Sequence, residues 1–468
     1  MDGARRKRVR VTAKGSRGGR TSEGDLISDL PDSLLCEVLL KLTTKDVVRT
    51  SVLSRRWRNL WKCVPGLDLD GGDFREQGCD TESSMENCVS FVDRFLGLHS
   101  ESNLESFRFN CLGPGDREPD NALIWRWMNT VLDLKVKYID YSEDAYESDE
   151  PQIPPAIYTC QTLVSLQLFR VTMSSPEFVS LPSLRVLKLS FVKFLEDLAM
   201  ETLISGCTAL ETLIIDRNAH EYDQLLVLRV CSQSLLSFSH YQSKDDDFLV
   251  DTSVVIDAPR LKFLKLQDLQ TESFIIKNSG SLVEVDLDFV FSLNYGRNFD
   301  PGDLPKRNMI RNFLGSTYLV KDMIISSRTL EVIYDYSRCE PLPLFCNLSS
   351  LRVDSTHDSW EMLPNFLESC PNLKSLVLDF SHSLDEGRIN MIPGPRCVLS
   401  SLEYVKIERP LKGDEMEMKL VSYFLENSPI LKKLTLSVRD YRKKKESVIL
   451  KELIAIPRLS SSCQVIFL

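Results

Sequence analysis

The sequence predicts an α/β chain in which a small N-terminal helical module precedes a long, irregular repeat solenoid. The solenoid should carry a parallel sheet on its concave face and helices on its convex face. Three observations predict this architecture. A pattern of spaced leucines, LxxLxL, recurs from Leu104 onward. A compact run of aliphatic and aromatic residues at helical spacing precedes it, over residues 25–70. The composition, 43% hydrophobic and 26% charged, is typical of folded globular chains.

The composition also bounds the functions that the chain can serve. No stretch of about 18 uncharged apolar residues occurs, so a membrane span is not expected. The opening residues, MDGARRKRVR, carry charge where a secretory signal needs an apolar core, which favours an unsecreted chain. In such a chain the 13 cysteines, none in a CxxC pair, predict reduced thiols and no metal site. No cofactor is expected, although the sequence leaves open a small-molecule co-receptor in the solenoid.

Residues 1–24 predict a disordered basic tail. Residues 1–20 carry a net charge of +7, and because the whole chain carries −10, the remainder carries −17. An acidic body has no general attraction for nucleic acid, which is therefore not an expected partner. The tail is either a solvated segment or a nuclear-import signal, and the second interpretation favours the nucleus over the cytoplasm. The residues of the candidate signal are Arg5, Arg6, Lys7, Arg8 and Arg10.

Residues 25–70 predict a module whose first helix is apolar on more than one face. Pro31 suits its first turn, because the N–H that proline lacks would have no partner there, and the helix should run to about Leu42. A surface helix normally carries one apolar stripe. Here one face should be buried within the chain, and the other should meet a partner or the next domain. The large aliphatic residues of this helix are Leu34, Leu35, Val38, Leu39, Leu40 and Leu42.

Two shorter helices complete this module. Thr43 or Thr44 can cap a second helix over residues 45–52, and Ser54 can cap a third. The two are too short to cover both apolar faces of the first helix. The third helix carries its apolar residues at i, i+3 and i+4; these are Trp57, Leu60 and Trp61.

The stretch DLISDLPDSLLCEVLLKLTTKDVVRTSVLSRRWRNLW resembles an F-box of the plant type. The Leu30-Pro31 pair, the spacing of leucine and valine after it, and the SVLSRRWRNLW block carry the resemblance. It implies that the helices insert into the Skp-type adaptor subunit of a cullin–RING ubiquitin ligase. The resemblance does not separate adaptor contacts from internal core. The implied contacts are Leu30, Pro31, Leu35, Leu39, Val48, Val52, Leu53 and Trp57.

The LxxLxL motif, with Ile, Val or Phe as substitutes, recurs at intervals that average about 28 residues, within the leucine-rich-repeat period. One repeat cannot bury its own apolar residues, so the copies should stack, with the intervening residues on the concave face. Clear copies start at Leu163, Leu184, Leu210, Leu261, Leu282, Leu348, Leu373, Leu402 and Leu431; weaker copies start at Leu104, Val131, Leu235, Val320 and Cys463.

The solenoid should occupy residues 71–389 and be uneven. Residues 196–205 and 362–369 predict helices of the convex side, and residues 294–312 form an insertion between two copies. The exposed positions of the motif give a candidate surface for a target protein, on geometry alone. These positions are Ser165, Gln167, Arg185, Lys188, Lys262, Lys265, Lys374 and Ser375.

Two further stretches resemble plant proteins of one subfamily. IPPAIYTCQTLVSLQLFRVTMSSPEFVSLPSLRVLKLSFVKFLEDLAMETLISGCTALETLII resembles the repeats of plant F-box/leucine-rich-repeat proteins. CVLSSLEYVKIERPLKGDEMEMKLVSYFLENSPILKKLTLSV, within residues 390–468, resembles the FBD domain that ends a large plant subfamily. An amphipathic helix is predicted over Glu415–Asn427, stopped by Pro429. The pattern indicates no separate role for this domain, which can be the last repeats and a cap.

No catalytic site is predicted. The sequence has no GxSxG, HExxH, P-loop or GxGxxG motif. Charge runs at 143–150, 245–247 and 442–445 are typical of solvated loops.

These features, with the resemblance, predict a non-catalytic substrate receptor of an SCF-type ubiquitin ligase. The F-box would dock the adaptor, and the repeats would hold an unidentified target beside the conjugating enzyme at high effective concentration. Three alternatives stay open: an adaptor-bound or free leucine-rich-repeat scaffold with no degradation role, a nucleic-acid-associated protein acting through residues 1–20, and an enzyme.

Overall fold

A computed structural model of the chain describes residues 27, 30–74, 81–98, 104–111, 121–143, 150–194, 196, 198–218, 226–243, 252–293, 299–354, 362–379, 399–410, 415–437 and 451–467. The basic tail with its candidate import signal lies outside the described residues, as do the charge runs at 245–247 and 442–445. The chain divides into two compact units, Met1–Val64 and Pro65–Leu468.

The described residues of the first unit form two α-helices and two 3₁₀ segments. They are α1 (Asp32–Leu39), α2 (Thr44–Arg49), and the 3₁₀ segments Thr50–Val52 and Trp57–Cys63. Thr43 caps α2, because its Oγ1 accepts a hydrogen bond from the backbone N–H of Asp46 at 3.4 Å. Two expectations need correction. Pro31 precedes α1 and does not lie in its first turn, and the third helix is 3₁₀.

The core of this unit is small and apolar. Buried side chains of α1 meet buried side chains of the second 3₁₀ segment, and Leu30, Cys36 and Trp61 pack against the cluster from its margin. Apolar burial of this kind is the main force that holds such short elements together. The buried members are Leu35, Leu39, Val47, Trp57, Leu60 and Val64.

The second unit is built on one parallel sheet of 15 strands, whose order in the sheet follows their order in the chain. Residues 66–70, which are predicted above as part of the helical module, form the first strand of this sheet. The strands are numbered along the chain. They are β1 (Gly66–Asp70), β2 (Ser106–Cys111), β3 (Tyr138–Glu143), β5 (Ser165–Phe169), β7 (Val186–Ser190), β9 (Thr212–Asn218), β11 (Ser237–Ser243), β13 (Phe263–Asp268), β15 (Glu284–Phe289), β16 (Asp322–Ser326), β17 (Ser350–Asp354), β18 (Ser375–Asp379), β19 (Tyr404–Pro410), β20 (Lys433–Ser437) and β21 (Gln464–Phe467).

The strands confirm nearly all of the predicted repeat copies. A strand begins two residues after the first apolar residue of every clear copy. The same holds for the weak copies at Leu104, Leu235 and Val320. The copy at Val131 is wrong, because that residue lies within a helix, and β3 follows Val136 instead. The copy at Cys463 is one residue late, because Lys433 pairs with Gln464.

The second layer differs from the expected row of helices. Helices occur at both predicted segments. Between residues 152 and 277, however, the described repeats carry short outer strands in this layer, apart from the helix Ala199–Ser205. The outer strands are β4 (Gln152–Ile153), β6 (Thr172–Met173), β8 (Lys193–Phe194), β10 (Val227–Cys231), β12 (Ser253–Asp257) and β14 (Ser273–Lys277). The helices are α3 (Thr81–Leu98), α4 (Asn121–Asp133), α5 (Ala199–Ser205), α6 (Leu304–Thr317), α7 (Ser327–Ser337), α8 (Leu363–Glu368) and α9 (Glu415–Asn427). Short 3₁₀ segments are Gly71–Phe74, Pro155–Thr159 and Ser279–Ser281.

The sheet has one buried face and one open face. In β5, Leu166 and Leu168 are buried, whereas Ser165 and Gln167, which alternate with them, are half-exposed. The same alternation recurs in β1, β15 and β17. Because side chains alternate between faces along a strand, the apolar residues of the motif share one core and the residues between them form the open face.

The C-terminal region continues this sheet. Strand β19 pairs with β18, and β20 pairs with β19. Arg352 of β17 binds carboxylates on three strands: Asp354 at 2.8 Å, Glu408 of β19 at 2.9 Å, and Asp379 of β18. This guanidinium therefore ties two earlier repeats to the region with the FBD pattern.

A polar pair interrupts the apolar core in the middle of the sheet. His240 of β11 takes the position that Ile215 and Leu266 occupy on the neighbouring strands. Its Nε2 lies 3.0 Å from Oδ2 of Asp268, and both side chains are fully buried. Burial alone would raise the pKa of Asp268, but hydrogen bonds from His240 and Thr271 outweigh it and lower this pKa below its ordinary value.

Replacing Asp268 with asparagine should lower the stability of the second unit at pH 7 by about 3 kcal/mol or more, because a buried pair loses one partner. Folding lowers the pKa of Asp268, so its carboxylate contributes fully to the free energy of unfolding above about pH 5. This contribution is lost as the pH falls below about 4. The urea midpoint of the wild type should therefore fall on acidification, and Asp268→Asn should flatten that fall.

The matched control is Asp140→Asn, which removes a carboxylate from an exposed ion pair with Arg108. Asp140→Asn should lower the free energy of unfolding by less than about 1 kcal/mol. Equal losses for the two variants would show that the buried pair has no special role in stability.

Candidate protein-interaction surfaces

The first unit exposes an unusual number of large apolar side chains. Val52 is 85% exposed and Leu53 66%, while Leu34 and Val38 of α1 are 49% and 47% exposed. Single exposed apolar residues are ordinary, but a group of them on a small module marks an interaction surface. Other exposed members are Ile27, Leu40 and Leu42. We call these seven residues the apolar face of the module.

Helix α1 explains how one short segment serves two surfaces. Leu35 and Leu39 are four residues apart and fully buried, so they form the stripe that faces the core. Leu34 and Val38 are also four residues apart and lie on the neighbouring stripe, which is exposed. The expectation of a helix that is apolar on more than one face is confirmed.

Burial divides the eight residues that the sequence implied as adaptor contacts. Leu35, Leu39 and Trp57 belong to the core of the module, and Leu30 packs against that core. Val48 is half-buried. Only Pro31, Val52 and Leu53 are exposed. Sequence reasoning left Leu34, Val38, Ile27, Leu40 and Leu42 out of the contact set, although the i, i+4 spacing of the first two separates them from the core stripe.

A polar clamp holds the segment that precedes α1. Nε of Arg56 donates to Oδ1 of Asp32 at 2.8 Å, and its guanidinium also donates to the carbonyl oxygen of Leu30. These bonds fasten the start of α1 to the residues just before the second 3₁₀ segment. The clamp thereby sets the position of Pro31 and of the first turn of α1.

The open face of the sheet carries the second candidate surface. Gln167 and Lys188 are register partners on β5 and β7, so these two predicted residues are neighbours. Along the sheet, Lys265 lies on the third strand beyond the strand of Lys188. Ser375 lies on the fourth strand beyond that of Lys265. The candidate residues that lie in strands are therefore spread along the sheet, and Arg185, Lys262 and Lys374 come just before β7, β13 and β18. The structure does not bring the eight into a single cluster.

Ion pairs between neighbouring strands neutralise much of the charge on this face. Arg185 lies 3.2 Å from Glu211, and Lys265 lies 2.7 Å from Asp286. Within the described part of the chain, three candidate lysines form no ion pair within 4 Å: Lys188, Lys262 and Lys374. Of the eight candidates, these three are the cations that a partner would meet with the least competition.

The described residues provide no group of His, Cys, Asp and Glu side chains that could hold a metal ion. Among the helices described, none is both long and apolar enough to cross a membrane.

Comparison with known proteins gives three family matches. The F-box domain matches residues 27–67, the FBD family matches residues 392–436, and the family described as "FBD-associated F-box protein At5g56370, LRR repeats" matches residues 124–281. Two Arabidopsis thaliana proteins, F-box/LRR-repeat protein 13 and F-box/FBD/LRR-repeat protein At1g78750, are each 56% identical to the chain, over 100% of both chains. FBD-associated F-box protein At4g13985, from the same plant, is 53% identical over 98% of both chains.

The two stripes of α1 should respond differently to truncation. Leu35→Ala should destabilise the module by about 2–5 kcal/mol, because it opens a cavity in the core. Leu34→Ala, one residue earlier, should change stability by less than about 0.5 kcal/mol. Amide hydrogen exchange in α1 would measure both. Similar exchange rates in the two variants would contradict the division of this helix into core and surface stripes.

Proposed function

The chain belongs to the plant F-box/FBD/LRR-repeat protein family, and from this premise we propose that it is the substrate-recognition subunit of an SCF-type cullin–RING E3 ubiquitin ligase. The single observation that supports this most is the coincidence of the F-box match at residues 27–67 with the apolar face of the module. An F-box implies a Skp-type adaptor as the partner, and an apolar face needs a partner to remove it from water.

The energetics of the apolar face are suited to stable docking. Complete burial of a valine, leucine or isoleucine side chain is worth about 1.5–3 kcal/mol. Seven such side chains are exposed to different degrees on this module. Part of their gross burial energy would offset the cost of association, and the remainder would favour docking. The buried residues Leu35, Leu39 and Trp57 would act indirectly, by holding the exposed ones in place.

The repeats would supply target recognition. The open face is polar, and its ion pairs hold side chains in fixed positions along the sheet. Polar and charged arrangements of this kind select a partner more than they add raw affinity. Holding the target near a charged conjugating enzyme converts a bimolecular encounter into one at high effective concentration. This role needs no bond chemistry from the chain itself, in keeping with a family of generally non-catalytic adaptors.

The double variant Val52→Asp, Leu53→Asp should abolish or weaken adaptor binding by at least tenfold. It places two carboxylates where apolar side chains are 85% and 66% exposed, so the fold should tolerate the change while docking should not. Co-purification of the full chain with a recombinant Skp-type adaptor, followed by titration of the complex, would measure the loss.

The matched control for this experiment is the double variant Ile454→Asp, Leu459→Asp, which places the same charge on two apolar side chains of the second unit that are 75% and 53% exposed. It should bind the adaptor as the wild type does. If the wild type itself fails to bind any Skp-type adaptor, the proposed function is wrong and the chain is better treated as a free repeat scaffold. If the adaptor binds but captured proteins acquire no ubiquitin in a reconstituted ligase, the scaffold role is favoured instead.

Target capture should depend on the unpaired lysines of the open face. Lys188→Ala, Lys262→Ala and Lys374→Ala combined should reduce recovery of targets at least fivefold in cross-linking from plant extract, while adaptor binding persists. Lys137→Ala, Lys321→Ala and Lys432→Ala remove the same charge from exposed lysines elsewhere along this sheet and should have a smaller effect. Equal recovery with both triple variants would remove these three lysines from the target site.

A further inference from the structure

The residues that lead into the strands of the large sheet differ in charge from the strands themselves. For β13 and for β15 to β20, we call the five residues that precede each strand the amino-terminal edge. These segments hold five cations and one carboxylate, whereas the strands that follow hold eight carboxylates and five cations. The edge is therefore positive beside strands that are negative. Its cations are Arg260, Lys262, Lys321, Lys374 and Lys432, and its carboxylate is Glu403.

Backbone hydrogen bonds place the residues of this edge side by side. The N–H of Val283 donates to the carbonyl oxygen of Lys262 at 2.9 Å, and the N–H of Lys321 donates to that of Val283 at 2.8 Å. The ladder continues through Ser349 to Lys374, at 2.8 and 3.0 Å. Three lysines thus occupy alternate steps, and because neighbouring strands lie about 4.8 Å apart, consecutive lysines are about 10 Å apart. We call Lys262, Lys321 and Lys374 the lysine row.

Three other cations that directly precede a strand of this sheet have a carboxylate on the adjoining strand. In each pair a backbone hydrogen bond also joins the two residues, so they occupy neighbouring steps of the ladder. A carboxylate one step along the ladder is therefore within reach of a cation at this position. The pairs are Lys137 with Glu105 at 2.8 Å, Arg185 with Glu211 at 3.2 Å, and Lys432 with Glu403.

The lysine row has no carboxylate of this kind. Val283 and Ser349 fill the steps between its three lysines, and neither residue is charged. Glu403 follows Lys374 in the ladder but binds Lys432, whose hydrogen bond is the main cause of the lowered pKa of Glu403. Among the described residues, no carboxylate lies within ion-pair distance of any lysine of the row. The three ammonium groups are therefore open to carboxylates from another molecule.

Exposed apolar side chains accompany the lysine row. Val283, Tyr318 and Leu319 are all exposed. Val283 separates Lys262 from Lys321 in the ladder, while Tyr318 and Leu319 belong to the segment that ends at Lys321. A group of exposed apolar side chains marks an interaction surface. A partner that covers this edge would thus make apolar contacts between its ionic ones.

We propose that the lysine row and the apolar side chains beside it form a docking surface for an extended acidic segment of a partner protein. Carboxylate side chains recur at every third residue of this segment, with apolar residues between them. A chain in the polyproline conformation has three residues per turn and rises about 3.1 Å per residue, so every third residue returns to the same side after about 9 Å. That interval is close to the spacing of the row.

This inference deepens the proposed function, because it rests on the repeats as the target-binding part and names the chemical class of the target. The surface differs from a general attraction for acidic proteins, since the carboxylates of the strands confine the segment to the edge. Glu284 and Asp322 are the first residues of β15 and β16 and are register partners. An acidic segment laid further along the strands would meet these two carboxylates and Asp286, and like charges brought together oppose binding.

The test titrates the full chain into a fluorescent synthetic peptide of repeated Glu-Pro-Leu units at low ionic strength. The wild type should bind this peptide saturably. The combined variant Lys262→Ala, Lys321→Ala, Lys374→Ala should bind it at least fivefold more weakly. Salt should weaken the binding of the wild type as well, because the Debye length falls from about 10 Å at 0.1 M to about 3 Å at 1 M ionic strength.

The matched control is the combined variant Lys137→Ala, Lys277→Ala, Lys451→Ala, which removes three exposed lysines of the second unit that lie outside the row. It should bind the peptide as the wild type does. Substitutions at exposed positions change stability little, so both variants should fold. A second peptide of the same composition, with its glutamates grouped at one end, should bind the wild type at least fivefold more weakly than the first.

The proposal is overturned if the wild type shows no saturable binding, if the row variant and the control variant bind equally, or if the two peptides bind equally. Co-purification with the Skp-type adaptor, carried out on the same preparations, separates this result from the ligase role. If the adaptor binds while the peptide does not, the docking surface alone is wrong. If the peptide binds while no adaptor does, the ligase role is wrong and the edge is a docking surface of a repeat scaffold.

Discussion

Every repeat of this chain depends on its neighbours to bury its apolar residues. Leu166 and Leu168 of β5 are buried because β3 and β7 lie on either side, and the same alternation of buried and open positions recurs in β1, β15 and β17. A strand in such a stack has no independent core, so strand order has to follow chain order, and each strand has to keep the register of the one before. The open face is a consequence: positions between the buried leucines stay in contact with solvent and are free to carry other chemistry.

That constraint explains which parts of the fold the sequence predicts and which it does not. The leucine spacing predicts a strand wherever all three apolar positions are aliphatic. It fails at Val131, where this residue of α4 and two aliphatic residues after the helix imitate the motif, while the true copy from Val136 ends in the aromatic Tyr141. The outer strands between residues 152 and 277 were not predicted, because segments of two to five residues are too short to show a period. The weak copy from Leu235 already places His240 at its last spaced position, but the buried pair with Asp268 appears only in the structure.

The candidate surfaces also depend on packing between distant parts of the chain, which the sequence pattern does not show. The sequence shows that α1 has too many apolar residues for one stripe, but it does not show which stripe faces the core. That choice depends on Trp57 and Leu60, which approach from another part of the chain and cover Leu35 and Leu39. Tertiary packing therefore decides that Leu34 and Val38 are exposed, and that Trp57 is a structural residue. Likewise, the motif locates Lys265 on the open face, but the ion pair with Asp286 appears only when β13 and β15 are placed side by side.

The region with the FBD pattern is subject to the stacking constraint as well, and this bears on how it can act. An independent domain has its own core and few contacts across its boundary. Here β19 pairs directly with β18, and the Arg352 guanidinium reaches Glu408 of β19 while it also binds Asp354 of β17. Removing this region would expose the buried face of β18 and leave Arg352 without one of its carboxylates. The FBD pattern therefore lies on a stretch that continues the sheet of the preceding repeats, with a register shift between β19 and β20 at Ile407 and Pro410.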